Sequence, residues 1–323
     1  MSDVVCIGQA CVDFFINGLE ANFNPADMHS ACDDFTIEIG GDSTNESRIL
    51  KRMGVDVSVI HRRGDDTTGM IVKNLFEKDG VDISKCYVVP GMKTPLVVIF
   101  PQGESERHVI SGKRTWNSQS FEIIPGMIGG AKVVSFASLL GHPFKDPENV
   151  YNAAKLVKDS GAVLCVDMNL FGDPEIEPYA ESMKFFDYFF PNHTEAMGWT
   201  GADSVEDAAD YFLGKGVKNI IIKTGKTGCF VKNSNLKIHL PAFEVDKVID
   251  TTGAGDNFAA GFICAMLDGK SLRERLIFAS AASAIAIQVV GASTGVQSKQ
   301  QVEDTVAEQK INHPEVMERF FAL

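Results

Sequence analysis

The sequence lacks the features of a membrane protein, of a secreted protein and of a nucleic-acid-binding protein. No apolar run approaches the about 20 residues that a membrane-spanning helix needs. The first residues lack a basic segment followed by a long apolar stretch, so we expect no signal peptide and a cytoplasmic protein. The formal net charge of −13 argues against a surface rich in Lys and Arg, which nucleic-acid binding requires. We therefore expect neither a membrane nor a nucleic acid among the partners.

Disulfide, zinc and common nucleotide-binding motifs are also missing. The seven cysteines are scattered, never in a CxxC spacing, and mostly lie in apolar runs where Cys acts as a small hydrophobe. No GxGxxG fingerprint follows the first apolar run, which counts against a dinucleotide-dependent oxidoreductase. Gly225-Lys226-Thr227 resembles the end of a Walker A motif, but Ile220 stands where the first glycine of that motif belongs.

Short β-branched runs alternate with helical segments, which predicts a parallel sheet covered by helices on both faces. The predicted strands are Val4–Gly8, Val57–Ile60, Val133–Phe136, Val163–Asp167, Tyr188–Phe190 and Asn219–Lys223. The predicted helices are Ser43–Met53, Thr68–Asp79, Glu148–Ser160, Ser204–Leu213, Ala254–Asp268 and Ser271–Val289. No repeat, low-complexity tract or linker divides the chain, so we expect one α/β domain over residues 1–323.

Three regions break this alternation, at about residues 12–16, 35–39 and 86–111. The last contains the short apolar runs Cys86–Val89, Pro95–Pro101 and Arg107–Ser111, separated by turn residues. These segments predict a small sheet beside the main one. Such a sheet acts as a lid that keeps water from an active site, as a dimerisation surface, or as both.

A glycine-rich turn at residues 250–256 opens onto a helix of small residues. Gly253, Ala254 and Gly255 have almost no side chain, so their N–H groups can face one ligand, and a helix starting here forms an anion site. A carboxylate beside bound phosphate is unfavourable unless it has a task, and Asp256 suits the general base of phosphoryl transfer. The alternative is a helix start at which Asp256 only complements the helix dipole.

Two further groups suit a polyhydroxylated ligand. Residues 40–45, Gly-Gly-Asp-Ser-Thr-Asn, combine glycines that let backbone approach a ligand with polar groups suited to hydroxyls. Asp13 follows the first strand, and ligands of open α/β sheets bind beyond the carboxyl ends of the strands. The alternatives are a turn with a helix cap for residues 40–45 and a solvent-facing carboxylate for Asp13.

A third group, Asn192 and Glu195, follows the strand that ends at Phe190. Three residues apart on a first helical turn, an amide and a carboxylate suit a hydrated magnesium ion that bridges phosphates. The alternative is a capping box, in which the same two side chains satisfy the N–H groups of a helix start.

Taken in this order, the segments resemble the ribokinase-like (PfkB) family of carbohydrate and nucleoside kinases. The resemblance covers nearly the whole chain and is most specific at residues 250–261, which correspond to the family's C-terminal signature. It implies a ribokinase-like three-layer α/β/α sandwich with a mostly parallel central sheet and a small β-sheet lid. It also implies an enzyme that transfers the γ-phosphoryl group of ATP, with Mg²⁺, to a primary alcohol.

The resemblance also implies roles for individual residues, with Asp256 as the base and Gly253, Ala254 and Gly255 as the anion hole. It assigns the acceptor to Asp13, Gly40, Gly41, Asn45, Arg107 and Asn169. It assigns nucleotide, phosphate and magnesium contacts to Asn192, Glu195, Lys223, Thr224, Gly225, Gly291 and Ala292. Asp250 and Ser293 lie near the family's monovalent-cation site, so K⁺ is a further cofactor to test, although not every member uses it.

Two departures from the family patterns bear on the acceptor. Ribokinases tend to have Lys-Gly after the paired glycines, and this chain has Asp42-Ser43, which counts against ribose. Fructokinases and ketodeoxygluconate kinases often carry an Asp-x-Asn-x-Arg segment, and this chain has Phe171 where the arginine would be. An acidic sugar would need that cation for its carboxylate, although Arg107 in the predicted lid could replace it. The expected acceptor is therefore a small neutral sugar.

Two alternatives stay open, together with a homodimer joined through the lid strands. In a nucleoside kinase, aromatic residues such as Phe14, Phe15 and Phe100 would stack on the base. A catalytically weak sensor would bind a sugar or nucleotide, but it would have no need of Asp256 beside its phosphate site.

Overall fold

A computed structural model of the chain describes residues 2–19, 30–102, 106–112, 120–169 and 174–321. In chain order, the strands within these ranges are β1 (Val4–Ile7), β2 (Cys11–Asn17), β3 (Asp34–Gly40), β4 (Val57–Ile60), β5 (Arg62–Gly64), β6 (Tyr87–Val89), β7 (Leu96–Gln102), β8 (Glu106–Ser111), β9 (Val133–Leu139), β10 (Val163–Met168), β11 (Tyr188–Phe189), β12 (Asn219–Lys223), β13 (Cys229–Asn233) and β14 (Lys237–Leu240).

The α-helices of the same ranges are α1 (Asp42–Arg52), α2 (Thr67–Asp79), α3 (Pro125–Ile128), α4 (Pro147–Ser160), α5 (Glu177–Met183), α6 (His193–Thr200), α7 (Val205–Gly214), α8 (Ala254–Leu267), α9 (Leu272–Ala286), α10 (Lys299–Asn312) and α11 (Pro314–Phe321). No described helix is long and apolar enough to cross a membrane.

The main sheet contains eight of the described strands in the order β14-β13-β12-β11-β10-β9-β1-β4. The strands from β12 to β4 run parallel, and β13 and β14 add an antiparallel edge. All six strands predicted from the sequence lie in this sheet. The antiparallel edge was not predicted, because its short strands carry no crossover helix between them.

Alternate residues of β1 pack on opposite faces of the sheet, as a buried strand requires. Val4 and Cys6 belong to the core beneath α1, α8 and α9, whereas Val5 and Ile7 belong to the core beneath α4 to α7. The two helical layers and the sheet between them form an α/β/α sandwich, which confirms the predicted fold class. Small residues bring α8 and α9 together, since a Cβ atom on Gly261 would lie 2.9 Å from the Cβ atom of Ala282.

A second, four-stranded sheet has the order β3-β2-β7-β8 and is called the small sheet below. It contains the predicted segments 12–16, 35–39, 95–101 and 107–111. The prediction was wrong for Cys86–Val89. The corresponding strand, β6, pairs with β5 in a separate parallel ribbon, where Arg62 stands opposite Tyr87. β5 follows β4 directly, and the N–H of Tyr87 donates to the carbonyl of His61 between them. β6 is therefore held beside β5 and not beside the small sheet.

Candidate active site

A cleft of about 580 Å³ lies beyond the carboxyl ends of the parallel strands and is covered on one side by the small sheet. Strands β10 and β12 end at its floor, and α1, α6 and α8 begin at its walls. This is the position at which open α/β sheets bind ligands. The described residues that line it include Asp13, Gly41, Asp42, Asn45, Asp167, Asn169, Asn192, Glu195, Lys223, Gly225, Gly253, Ala254, Gly255, Asp256 and Ala292.

The glycine turn before α8 is built for close backbone packing. Gly253 is the N-cap residue with φ 73°, and a Cβ atom on it would lie 2.2 Å from the carbonyl oxygen of Ala292. The side-chain amide of Asn257 donates to the carbonyls of Gly253 and Ala292, at 2.8 Å each. The first residues of α8 line the cleft, and the first N–H groups of a helix have no acceptor within it, so this helix start suits an anion. The N–H of Ala254 also lies 3.3 Å from the carbonyl oxygen of Thr251.

Asp256 lies in the first turn of α8 with its carboxyl group buried. Its Oδ2 atom accepts a hydrogen bond of 2.7 Å from the side-chain amide of Asn45. Burial, followed by the negative charge of nearby Asp42, raises the pKa of Asp256 well above its ordinary value, although the bond from Asn45 opposes this. The carboxylate is therefore a stronger base than an exposed aspartate.

A buried ion pair lies next to this turn. The Nζ atom of Lys223, at the end of β12, is 2.6 and 2.8 Å from the two carboxyl oxygens of Asp167, at the end of β10. Burial alone would lower the pKa of Lys223, but the charge of Asp167 raises it, so the lysine stays positively charged. A Cβ atom on Gly255 would lie 2.8 Å from this Nζ atom. The glycine therefore lets a positive charge reach the anion site.

Asn192 and Glu195 form the capping box of α6 and also line the cleft. The Asn192 side chain accepts from the N–H of Glu195 at 2.9 Å, and Glu195 accepts from the N–H of Asn192 at 2.8 Å. Burial raises the pKa of Glu195 to about 7. Within the described residues, no three His, Cys, Asp or Glu side chains are arranged to hold a metal. A magnesium ion held by phosphates and water fits this wall, because Mg²⁺ needs only one or two protein carboxylates.

The opposite end of the cleft combines carboxylates with an apolar wall. Asp13, Asp42, Asn45 and Asn169 face it from one side, and the small sheet contributes Val97, Ile99 and Val109. Asp42 accepts a hydrogen bond from the hydroxyl of Ser138, and burial raises the pKa of Asp42 to about 6. Such a surface offers acceptors to hydroxyl groups and an apolar face to a carbon skeleton.

Gly40 and Gly41 make room for this end of the cleft. A Cβ atom on Gly40 would lie 2.0 Å from the Asp13 carboxylate. Gly41 has φ 101°, and a Cβ atom on it would lie 2.3 Å from the carbonyl oxygen of Gln9. The paired glycines therefore let α1 begin directly against the loop that follows β1.

Asp250 and Ser293, the residues expected near a monovalent-cation site, take part in hydrogen bonds within the protein. The Ser293 hydroxyl accepts from Arg48 Nη1 at 3.0 Å, and the Ser293 carbonyl accepts from Arg52. The Asp250 carboxylate accepts from the N–H groups of Thr252 and Gly291, both at 2.9 Å. The oxygens of Ser293 thus already face two guanidinium groups.

Comparison with known proteins identifies the family of this chain. The sequence profile of the pfkB family of carbohydrate kinases matches residues 1–299. The chain belongs to this family. Relatives of this chain named ribokinase, fructokinase and 2-dehydro-3-deoxygluconokinase are phosphotransferases with an alcohol group as acceptor, so this pfkB-family chain is a sugar kinase.

Individual relatives agree with this assignment. The kinase is 29% identical over 273 residues to the ribokinase of Haemophilus influenzae, with 83% of this chain and 87% of that protein covered. It is 25% identical over 328 residues to the 2-dehydro-3-deoxygluconokinase of Bacillus subtilis, with 96% and 97% covered.

Solved structures share the fold. Arabidopsis thaliana ribokinase complexed with ribose and ATP has a TM-score of 0.80 at 23% identity, covering 94% of this chain and 98% of that one. A putative ribokinase II from E. coli, in complex with ATP and Mg²⁺, has a TM-score of 0.80 at 22% identity, covering 95% and 100%.

Most residues predicted for the site of this kinase meet in the cleft, but five described ones do not line it. Gly40 lies behind Asp13, and the side chain of Thr224 contacts His239 instead. The Asp250 carboxylate accepts from the N–H groups of Thr252 and Gly291, and the oxygens of Ser293 accept from Arg48 and Arg52. The side chain of Arg107 and residue Phe171 lie outside the described part of the chain. Phe14, Phe15 and Phe100 are not among the residues that line the cleft.

Sequence reasoning did not assign a role to Asp167 or to the apolar wall of Val97, Ile99 and Val109. A signal existed for Asp167, since it is an acidic residue at the end of a predicted buried strand. The apolar wall had no such signal, because the strands of the small sheet carry apolar residues on both faces. The sequence therefore does not indicate which face lines the cleft.

Proposed function

We propose that this kinase transfers the γ-phosphoryl group of ATP, with Mg²⁺, to a primary hydroxyl of a small neutral sugar. One observation carries the proposal. The buried Asp256 carboxylate is hydrogen-bonded to Asn45, which lines the end of the cleft that suits hydroxyl groups. It also lies in the first turn of α8, next to the N-terminal amides of that helix. A base at this point can contact an acceptor hydroxyl whose oxygen faces a bound phosphate.

In the proposed reaction, Asp256 takes the proton of the acceptor hydroxyl. The sugar oxygen forms a bond to the γ-phosphorus of ATP, the bond from that phosphorus to the bridging oxygen breaks, and ADP leaves. The raised pKa of Asp256 favours proton transfer, because a general base works best when its pKa approaches the working pH.

The charge of the transferring phosphoryl group would be met by two features next to Asp256. These are the amides of Gly253, Ala254 and Gly255, and the ammonium group of Lys223, which lies close to Gly255. Fixed dipoles and charges of this kind are commonly the largest contribution to rate enhancement. Asn192, Gly225 and Ala292 line the same end and are assigned to the nucleotide. Mg²⁺ bound near Glu195 would neutralise phosphate charge.

The charges in the cleft support a neutral acceptor. Five carboxyl side chains line it, from Asp13, Asp42, Asp167, Glu195 and Asp256. Among the described lining residues, the one Lys or Arg is Lys223, whose charge is matched by Asp167. A sugar acid or phosphosugar would find no unmatched Lys or Arg among the described lining residues, whereas hydroxyl groups would find hydrogen-bond acceptors. A nucleoside is less favoured, because the phenylalanines expected to stack on a base lie outside the cleft lining.

The decisive experiment is ADP release from Mg-ATP across neutral sugars, sugar acids, phosphosugars and nucleosides, with Asp256→Asn beside the native protein. One neutral sugar should stimulate ADP release, and Asp256→Asn should reduce kcat by about 10²–10⁴ with the fold retained. Asp304→Asn, an exposed change on α10, is the matched control and should behave like the native protein.

Each other result of this experiment has a defined meaning. Near-native activity of Asp256→Asn would exclude the base assignment. Stimulation by a nucleoside or a sugar acid would correct the acceptor. No stimulation by any compound, with ATP binding intact, would favour a sensor over an enzyme.

We further infer that residues 1–323 form one kinase domain, in which the small sheet is both lid and dimer interface. One face of the small sheet lines the cleft through Val97, Ile99 and Val109. The other face exposes apolar side chains, with Phe35 57%, Ile110 53% and Ile37 44% accessible. Exposed apolar surface of this kind marks an interaction site. Light scattering should give a dimer at micromolar concentration and a monomer for Ile37→Lys, and a native monomer would contradict the interface.

A further inference from the structure

Asp167 is a buried carboxylate in the cleft that the proposed reaction does not use. It lies at the end of β10, and only 5% of its side chain is exposed. Both of its oxygens accept hydrogen bonds from the ammonium group of Lys223. The N–H of Met168 donates to one of the same oxygens at 2.8 Å. The carboxylate is therefore fixed by the backbone of its own strand as well as by the lysine.

Lys223 reaches Asp167 across the strand that separates them. Lys223 is the last residue of β12, and β11 lies between β12 and β10 in the sheet. The N–H of Lys223 donates to the carbonyl of Pro191, just beyond β11, at 2.9 Å. A lysine carries its charge on a flexible stem of four carbons, so a fixed backbone does not decide where the ammonium group lies. The bonds to Asp167 decide it.

These bonds hold the ammonium group directly against the glycine turn. A Cβ atom on Gly255 would lie 2.8 Å from the Nζ atom of Lys223 and 3.8 Å from an oxygen of Asp167. A lysine ammonium group has three N–H donors. Two hydrogen bonds to Asp167 leave the third donor for an oxygen of a phosphate bound at the turn.

Other carboxyl groups of the cleft compete for this lysine. Besides Asp167, the negative charges of Glu195 and Asp256 stabilise the charged form of Lys223 against its burial. A hydrogen bond from Lys223 to Asp256 would lower the pKa of that carboxyl group and make it a weaker base. Asp256 instead accepts its hydrogen bond from the neutral amide of Asn45. The pairing with Asp167 thus keeps the cation and the base apart.

We propose that Asp167 is a positioning residue that holds the Lys223 ammonium group at the phosphate-binding turn and away from Asp256. Lys223 contacts the phosphoryl group, whereas Asp167 acts through the lysine. This inference rests on the proposed function, and a nucleotide-binding measurement keeps the two separable.

The first test is a double-mutant cycle on acceptor-stimulated ADP release. Lys223→Met should lower kcat by about 10² or more, as the removal of one donor to developing charge commonly does. Asp167→Asn should lower kcat by about tenfold or more without a matching rise in the KM for the acceptor. Because Asp167 acts through the lysine, the double variant should equal Lys223→Met within about twofold. Native kcat in Asp167→Asn, or losses that multiply in the double variant, would overturn the proposal.

A variant that keeps the charge separates the position of the carboxylate from its charge. Asp167→Glu retains the carboxylate but displaces it by one methylene group, so kcat should fall as in Asp167→Asn. Native kcat in Asp167→Glu would show that charge alone matters and would overturn the positioning role. If Asp167→Asn does not fold, Asp167→Glu takes its place in the cycle.

Nucleotide binding gives a readout that needs no acceptor. The ratio of the dissociation constants of ADP and ATP, measured by calorimetry with Mg²⁺, reports contact with the terminal phosphate. Lys223→Met should lower this ratio by about tenfold, the usual effect of losing a hydrogen bond to a charged group.

The same ratio separates position from charge at Asp167. Loss of the Asp167 charge alone would raise the ratio, because ATP carries more negative charge than ADP, whereas a displaced lysine lowers it. A ratio in Asp167→Asn at or above the native value would overturn the proposal. If no acceptor stimulates ADP release, the proposed function fails, while this ratio still decides the role of Asp167.

Asp187→Asn is the matched control. Asp187 accepts a hydrogen bond from Lys218, and these two residues directly precede β11 and β12, at the end of the sheet remote from the cleft. The variant should leave kcat and the nucleotide ratio at their native values. A loss as large as that in Asp167→Asn would show a general effect of breaking ion pairs of the sheet and would overturn the proposal.

Discussion

Replacing Glu46 with glutamine is predicted to make the stability of this kinase less dependent on pH. Glu46 lies on α1, is fully buried, and accepts a hydrogen bond of 2.6 Å from the hydroxyl of Ser135 on β9. Its second oxygen has no partner among the described residues. Burial raises the pKa of Glu46 from 4.5 to about 8, while the bond from Ser135 opposes the shift.

The sign and size of the effect follow from this shift. Because the folded chain keeps the Glu46 proton when the unfolded chain has lost it, the folding free energy becomes less favourable as the pH rises from the unfolded pKa towards 8. Each pH unit in this window costs about 1.4 kcal/mol. At about pH 7 the native protein is therefore less stable by about 3 kcal/mol than at a pH below 4.5, through this one group.

The assay is urea unfolding of the native protein and Glu46→Gln at about pH 5, 6, 7 and 8. The difference in unfolding free energy between the two proteins should change by about 3 kcal/mol in favour of the variant over this range. A change in unfolding free energy that the glutamine causes equally at every pH cancels in that comparison. Glu308→Gln, an exposed change on α10, should leave the native pH dependence unchanged.

Parallel curves for the native protein and Glu46→Gln would refute the reasoning. They would mean that Glu46 ionises in the folded protein as easily as in the unfolded chain.

Two further predictions concern the active site. Gly255→Ala should lower kcat by about tenfold or more in the ADP-release assay, because the added Cβ atom would lie 2.8 Å from the amine of Lys223. Gly214→Ala, which has open space around the added atom, is the control and should leave kcat unchanged. Asp42→Asn should move the acidic limb of the kcat/KM profile to lower pH, because the charge of Asp42 helps to raise the pKa of Asp256; a limb that stays in place would contradict that coupling.

Features that depend on neighbours along the chain could be predicted from the sequence. The alternation of apolar runs and helices predicted the parallel sheet, since each strand and helix buries its own local pattern. The glycine turn before α8 was also visible, because a positive φ at Gly253 is a local demand. The capping box of Asn192 and Glu195 was recognised as an alternative for the same reason.

Features that depend on residues far apart in sequence could not be predicted in this way. Whether Cys86–Val89 joins the small sheet was decided by its pairing with β5. The ion pair between Asp167 and Lys223 forms because β10 and β12 end at the same edge of the sheet. No spacing rule connects residues of two strands that are separated by a third.

The sequence by itself determined the fold class, the family resemblance and the residue types available to the active site. The tertiary structure decided which of them meet. The bond from Asn45 to Asp256 spans 211 positions, and the contact from Arg48 to Ser293 spans 245. The physical reason is that hydrogen bonds and charge interactions act over a few ångströms, so packing of the sheet and helices, and not order along the chain, sets the chemistry of the site.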